Sequence, residues 1–201
     1  MELIVSTLNN DLLSAFQSMN NGDNKVYSVK VSEAIKKYAE SGTITTTDKG
    51  GVPSGAFVGT GTGGITVDAS ICEKILYAAC MVMNDMKAGG NDYLANELAN
   101  GIHTMVSAGE VKTDVTGTVT PPGISPVPLS GKAVGTMTGV PAPMRVSFTA
   151  AFNSMDGMKN GGDEYKAQQM SVAIDAYLKA TVVNTNGTVA LSGSTGNGKM
   201  T

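Results

Sequence analysis

Ser14-Ala15-Phe16-Gln17-Ser18-Met19, Ala78-Ala79-Cys80-Met81-Val82-Met83 and Ala150-Ala151-Phe152-Asn153-Ser154-Met155 are three versions of one phrase. Each runs on into a Gly cluster with acids or amides: Gly22-Asp23-Asn24, Gly89-Gly90-Asn91-Asp92 and Gly161-Gly162-Asp163-Glu164. A Tyr follows (Tyr27, Tyr93, Tyr165), then Ala34-Ile35, Gly101-Ile102 or Ala173-Ile174, then Tyr38, Met105 or Tyr177. Every copy closes in a stretch rich in Thr, Val and Gly. A unit repeated in this way builds an assembly surface more readily than a single catalytic pocket. The interval from Met19 to Met83 is shorter than that from Met83 to Met155, which argues against a continuous solenoid.

Apolar spacing gives the first helix of each unit. Ile71, Ile75, Ala78/Ala79, Val82/Met83 and Met86 fall on one stripe, as do Leu8, Leu12, Ala15/Phe16 and Met19, and Phe148, Ala151/Phe152 and Met155. Ser70 with Glu73 reads as a capping box, Ser6 or Thr7 as the cap of the first helix, and Ser147 as the cap of its counterpart in unit three. The Gly clusters are expected to end these helices, glycine being suited to the left-handed C-cap. Second helices are predicted over 25–40, 92–107 and 163–179, with Asp and Glu in their first turns where the helix dipole favours them. Three αα-hairpins result.

Between the hairpins, residues 42–67, 109–140 and 181–200 carry β-branched runs such as Thr43-Ile44-Thr45-Thr46, broken in the middle segment by Pro121, Pro122, Pro126 and Pro128. Gly59-Thr60-Gly61-Thr62-Gly63-Gly64 and Gly193-Ser194-Thr195-Gly196-Asn197-Gly198 read as mobile loops. The expected fold is therefore mainly α with short β. Three repeated αα-hairpins are each followed by an extended Thr/Gly-rich strand or arm, in units spanning 1–67, 68–140 and 141–201, standing apart or packed as one compact domain. The arms are expected to pair with one another or with a neighbouring subunit, since a lone short strand is unstable.

Composition narrows the function. The 201 residues are 41% hydrophobic and 15% charged, with a net charge of −3, so the chain is globular and lacks the clustered Lys/Arg a nucleic acid requires. With 25 Gly, 12 Met, 4 Phe and no Trp, the core must be filled by small and flexible side chains. No apolar run reaches the roughly 20 residues of a membrane span. The N-terminal Met1-Glu2-Leu3-Ile4-Val5 is not a secretory signal. Cys72 and Cys80 stand about 12 Å apart along one predicted helix. That is too far for a disulfide, and the pair reads as two buried small side chains in a protein made in a reducing cytoplasm.

Candidate sites are few. The Gly59–Gly64 run lacks the Lys-Ser/Thr of a phosphate loop. Asp156, Asn160, Asp163 and Glu164 miss the ligand phase of a calcium loop. His103, the single histidine, is expected to be an exposed helix residue; a hydrolytic site would need it with Asp92 or Glu97. Tyr27, Tyr93 and Tyr165, aligned at the start of each second helix, are expected to pack against their partner helices. They are also the candidate interface residues, together with Phe57 and Val58. No catalytic residue, metal or cofactor is expected.

Ala15-Phe16-Gln17-Ser18-Met19, the helix through Val31 to Tyr38, and Ser41-Gly42-Thr43-Ile44-Thr45 running on to Gly55-Ala56-Phe57-Val58-Gly59-Thr60-Gly61 resemble virion structural proteins of tailed bacteriophages. The resemblance covers each repeat and so nearly the whole chain. It implies a building block of the capsid, connector or tail, made in the host cytoplasm, whose partners are itself or other virion proteins. It implies no catalytic residues, and neither nucleic acid nor membrane is an expected partner. The alternative is a soluble small-molecule or peptide binding module built from a helical bundle.

Overall fold

The computed structural model describes residues 3–18, 23–52, 55–156, 158–188 and 194–201; Met19, Gly22 and Gly193 of the sequence reading lie outside them. Six helices and six strands are described: α1 (Val5–Gln17), α2 (Asn24–Ser41), β1 (Ile44–Val52), β2 (Gly55–Thr66), α3 (Ala69–Met83), α4 (Gly90–Ser107), β3 (Glu110–Thr120), β4 (Val127–Thr138), α5 (Ala142–Met155), α6 (Gly162–Ala180), β5 (Val182–Thr188) and β6 (Ser194–Met200). Each helix packs on its neighbours in the chain, and α1 also packs on α6, closing a ring. None is long and apolar enough to cross a membrane among the described residues.

The expectation of a mainly α fold with short β arms is overturned. The strands form antiparallel hairpins, and those hairpins join into one closed barrel in which β1 pairs with both β2 and β6. No strand is a free arm, because in a closed barrel each strand has a partner on both sides. Of the two Gly-rich runs taken for loops, residues 59–64 lie in β2 and the described part of the other, residues 194–198, lies in β6.

Those glycines are what make so small a barrel possible. Eight strands leave an interior just wide enough to be filled by side chains, and six leave less. Inward side chains here stand opposite glycine on an adjacent strand: Ile44 against Gly63, Thr46 against Gly61 and Gly198, Asp48 against Gly59 and Gly196. The same holds for Val111 against Gly135 and for Thr185 against Gly135 and Gly196. Outward positions carry Thr, Lys and Asn, giving an alternation of buried and exposed residues along β3. The prolines fit too. Pro121, Pro122 and Pro126 occupy the β3–β4 connection, and Pro128 pairs with Thr118 on β3 but lies before β4 begins pairing with β5 at Lys132. Its missing N–H therefore costs no bond on that side.

The barrel interior is layered. Ile44, Ile65, Val111, Met137, Val183 and Met200 continue the core of the helical ring. Phe57, Val115, Val119 and Ala133 form a second apolar cluster. Buried between the ends of the barrel are Thr46, Asp48, Thr113 and Thr185. Asp48 accepts from the Thr46 hydroxyl at 2.6 Å and the Thr185 hydroxyl at 3.2 Å. These two hydroxyls replace water around a carboxylate that burial would otherwise leave unsatisfied.

Local capping differs from expectation in an instructive way. α3 begins at Asp68, whose carboxylate accepts from the Ser70 N–H at 2.9 Å, not at a Ser70/Glu73 box. α1 starts after Ile4 without a side-chain cap, and α5 starts after Pro141, leaving Ser147 inside the helix with its hydroxyl donated to the Pro143 carbonyl. Gly89 and Gly161, at φ of 75°, are the left-handed entries to α4 and α6 and do not terminate the preceding helices. The second helices match the predicted spans to within two residues at either end.

A methyl group on Gly63 would lie 1.9 Å from the Lys112 carbonyl oxygen, whereas one on Gly64 has nothing closer than 3.8 Å. Gly63→Ala should cost about 2–4 kcal/mol in chemical denaturation, because backbone on the next strand must move. Gly64→Ala should stay within about 0.5 kcal/mol of wild type.

Candidate functional site

Taking Ile35, Ile102 and Ile174 as equivalent in α2, α4 and α6, the residues two turns earlier are Tyr27, Leu94 and Lys166. All three line one cavity of about 240 Å³. It sits where α1, α3 and α5 end and α2, α4 and α6 begin, at the opposite end of the ring from the barrel. Asn24, Asn84 and Asn91 supply its amides, and Cys80, Met83, Phe152 and Met155 complete the wall. The repeat thus focuses equivalent positions on a common centre, and there the three units differ most.

Lys166 is the chemically unusual member. Its ammonium lies 4.4 Å from the centre of the Phe16 ring, 5.1 Å from Phe152 and 5.4 Å from Tyr27. It donates to the Tyr27 hydroxyl at 3.3 Å. The rings' negative faces hold the positive charge in place of water. Burial lowers its pKa from 10.5 to about 8, against smaller upward pulls from Asp163 and Cys80. Burial likewise pushes the Tyr27 hydroxyl far above its ordinary range. Asn91 is anchored at the mouth, its amide donating to the Asp156 carboxylate at 3.1 Å and the Asn153 side-chain Oδ1 at 3.2 Å.

The tyrosines expected to be equivalent are not in one register. Tyr27 is buried at 1% exposure against Phe16. Tyr93 and Tyr165 sit one position earlier on their helices and pack, half-buried, on the outside of the core. Phe57 is enclosed in the barrel and Val58 points outward. Of the five candidate interface residues, Tyr27 and Phe57 are therefore covered within this chain, and Val58 is the one largely open to solvent.

His103 is not an exposed helix residue. Its Nδ1 lies 2.8 Å from the Tyr177 hydroxyl, with the two rings edge to face. The same clamp recurs between other units, where Tyr38 donates to Asp175 at 2.8 Å. His103 and Asp175 occupy equivalent positions, as do Tyr38 and Tyr177, so each hydroxyl reaches across to the next unit. At the third junction the equivalent residues are Met105 and Lys36, and Met105 has no hydroxyl to offer. Burial raises Tyr177 to about 12, so the clamp stays protonated at neutral pH. His103, Asp92 and Glu97 make no joint site, because His103 is engaged in this packing. The signal was present in the repeat: His103 lies two positions before Met105, as Asp175 lies two before Tyr177 and Lys36 two before Tyr38.

Cys72 and Cys80 are free and buried, and burial raises the Cys72 thiol to about 11. Cys72 is fully enclosed, and Cys80, although it faces Lys166, is held upward by burial as well, so neither has the accessible, low-pKa setting of a reactive cysteine. Among the described residues no group of three or more His, Cys, Asp or Glu could hold a metal ion.

Comparison with known protein families, curated proteins and solved structures finds no match to this chain.

Two measurements check this geometry. Tyr177→Phe should destabilise by about 0.5–1.5 kcal/mol in urea denaturation, the value of one hydrogen bond. Lys166 carries the pH dependence. Below pH 8 it is charged in both states and the burial penalty is complete; from about 8 to 10.5 the folded chain sheds a proton that the unfolded chain keeps. Stability of wild type relative to Lys166→Met should therefore be lowest near pH 7 and recover as pH rises through that window. Parallel denaturation series of the two chains across pH would show the gap closing.

Proposed function

We propose that this chain is a non-enzymatic structural protein of a virion, a capsid, connector or tail component of a tailed bacteriophage that works by protein–protein contact. The reading rests on the sequence resemblance and on one structural observation: in a closed, threefold-repeated body, the outer face of α3 is apolar where the equivalent α1 and α5 positions are polar. Tyr77, Met81, Val82 and Met86 are 37–48% exposed along and just beyond α3. The residues equivalent to Met81 and Val82 are Gln17 and Ser18 in the first unit and Asn153 and Ser154 in the third. Two units thus carry polar side chains where the middle one carries large apolar ones, as suits a body that meets a neighbour on one side.

The mode of contact differs from strand addition. Each strand of the barrel already has a partner on both sides, so a neighbour would be held by side-chain packing on the helical face. The threefold repeat suits a position of threefold or sixfold symmetry, where one chain, or two, could match several copies of a neighbour.

Light scattering and negative-stain imaging of the purified chain test the proposal. A ring, closed oligomer or polymer is expected, dispersed by the double substitution Met81→Asp with Val82→Asp while the melting temperature stays within a few degrees of wild type. A compact monomer at every concentration, unchanged by the substitutions, counts against it.

A further inference from the structure

The axial cavity carries an inference independent of the assembly reading. Three features meet there: an enclosed ammonium, an apolar chamber and unevenly used amides. Lys25, Lys37, Lys112 and Lys179 each reach a carboxylate within ion-pair distance, but among the described residues Lys166 has no such pair. Its hydrogen bond goes to a neutral phenol at 3.3 Å. Aromatic faces stabilise its charge but supply no counter-charge, Asp163 acts on it without pairing, and a buried charge calls for a partner in contact. Asn24 at the mouth spends its amide on the Met81 sulfur at 3.8 Å, a weak contact that an oxygen acceptor would displace.

We propose that this cavity binds a small organic carboxylate. Its anionic head would pair with the Lys166 ammonium and accept from the Asn24 amide, and its apolar body would lie against Leu94, Met83, Met155 and Phe152. The 240 Å³ of space equals about eight waters of the liquid. That is room for the head and body of a monocarboxylate with a six-carbon chain or one aromatic ring, just below the roughly 300 Å³ at which pockets for drug-sized ligands begin. Phosphate and sulfate suit the site poorly, since they carry more charge than one ammonium balances and have no apolar part for the wall.

The groups facing Lys166 set the expected pH behaviour. They are Asp163 on its own helix, Cys80 on α3 and Tyr27 on α2, with Phe16 and Phe152 contributing rings from α1 and α5. Cys80 and Tyr27 are both displaced upward by burial, so in the neutral range Lys166 is the group that changes charge as pH passes about 8. Affinity should fall as Lys166 loses its proton.

The experiment is calorimetric titration of the full chain with sodium hexanoate and sodium benzoate at pH 6.5 and pH 9.5, at constant ionic strength, with hexanamide and benzamide as uncharged counterparts. One saturable site per chain is expected for a carboxylate at pH 6.5, weakened roughly tenfold or more at pH 9.5 because little ammonium remains there. The amides should bind at least tenfold more weakly. Lys166→Met should abolish carboxylate binding, and Leu94→Phe, which keeps the charge but fills the chamber, should weaken it. Each variant is accepted only where its far-UV spectrum and cooperative melting match wild type. Absence of saturable binding by wild type at millimolar ligand, equal binding of amide and acid, affinity that ignores pH, or unimpaired binding by a folded Lys166→Met would each overturn the proposal.

Discussion

Everything in this molecule depends on fitting six antiparallel strands around an interior too narrow for a full complement of side chains. A strand with an inward residue at every second position would overfill such a barrel. The chain answers by setting Ile44, Thr46, Asp48, Val111 and Thr185 against glycines across the ladder. The high glycine content follows from that geometry, as does the Thr-rich exterior, because outward positions of a narrow, strongly curved sheet favour β-branched polar residues. The barrel in turn ties together the distal ends of α2, α4 and α6, so the helical ring cannot splay at that end.

The threefold repeat has been kept where packing requires it and relaxed elsewhere. Leu12, Leu76 and Phe148 are buried in all three units, as are Ile35, Ile102 and Ile174. The inter-unit clamps survive at two of three junctions, with different chemistry at each: a carboxylate for Tyr38 and an imidazole for Tyr177. At the open end the equivalent residues are a phenol, an isobutyl group and an amine. A perfectly symmetric centre would need three identical groups to share one small space, which is impossible for three lysines and wasteful for three leucines. Divergence there lets a cation stand in a cage that the other two units complete.

The helices were legible because their signal is local. An apolar residue every three or four positions needs no knowledge of the rest of the chain, and α2, α4 and α6 lie close to their predicted spans. Three things were not legible. Barrel closure is a pairing between β1 and β6, separated by nearly the whole chain, and nothing in either strand's pattern names its partner. Glycine in strands looks like glycine in loops until the opposing residue is known. The tyrosines misled because conspicuous residue type was allowed to set the register. Counting back from the isoleucines instead places Tyr27 with Leu94 and Lys166, and that count would have exposed the charged residue among core positions before any coordinates. The asymmetry of the outer α3 face was readable too, since Met81-Val82 stands where the other units have Gln17-Ser18 and Asn153-Ser154.

Closure by β6 also sets a timetable. β1 is made early, but its second neighbour is the last strand, and Thr43 exchanges backbone hydrogen bonds with Thr201. α1 likewise waits for α6. While the chain is still being synthesised, the first two hairpin units can form only an open arc, with a bare strand edge at either end and four of the six helices beneath. Such an edge is a template for pairing with other nascent chains, and long-range pairing is slow relative to local helix formation. In the finished molecule each strand has a partner on both sides, yet every copy has passed through a state in which β1 and β4 lack one. The interval between emergence of β4 and arrival of β6 is therefore when this protein is most open to misassembly.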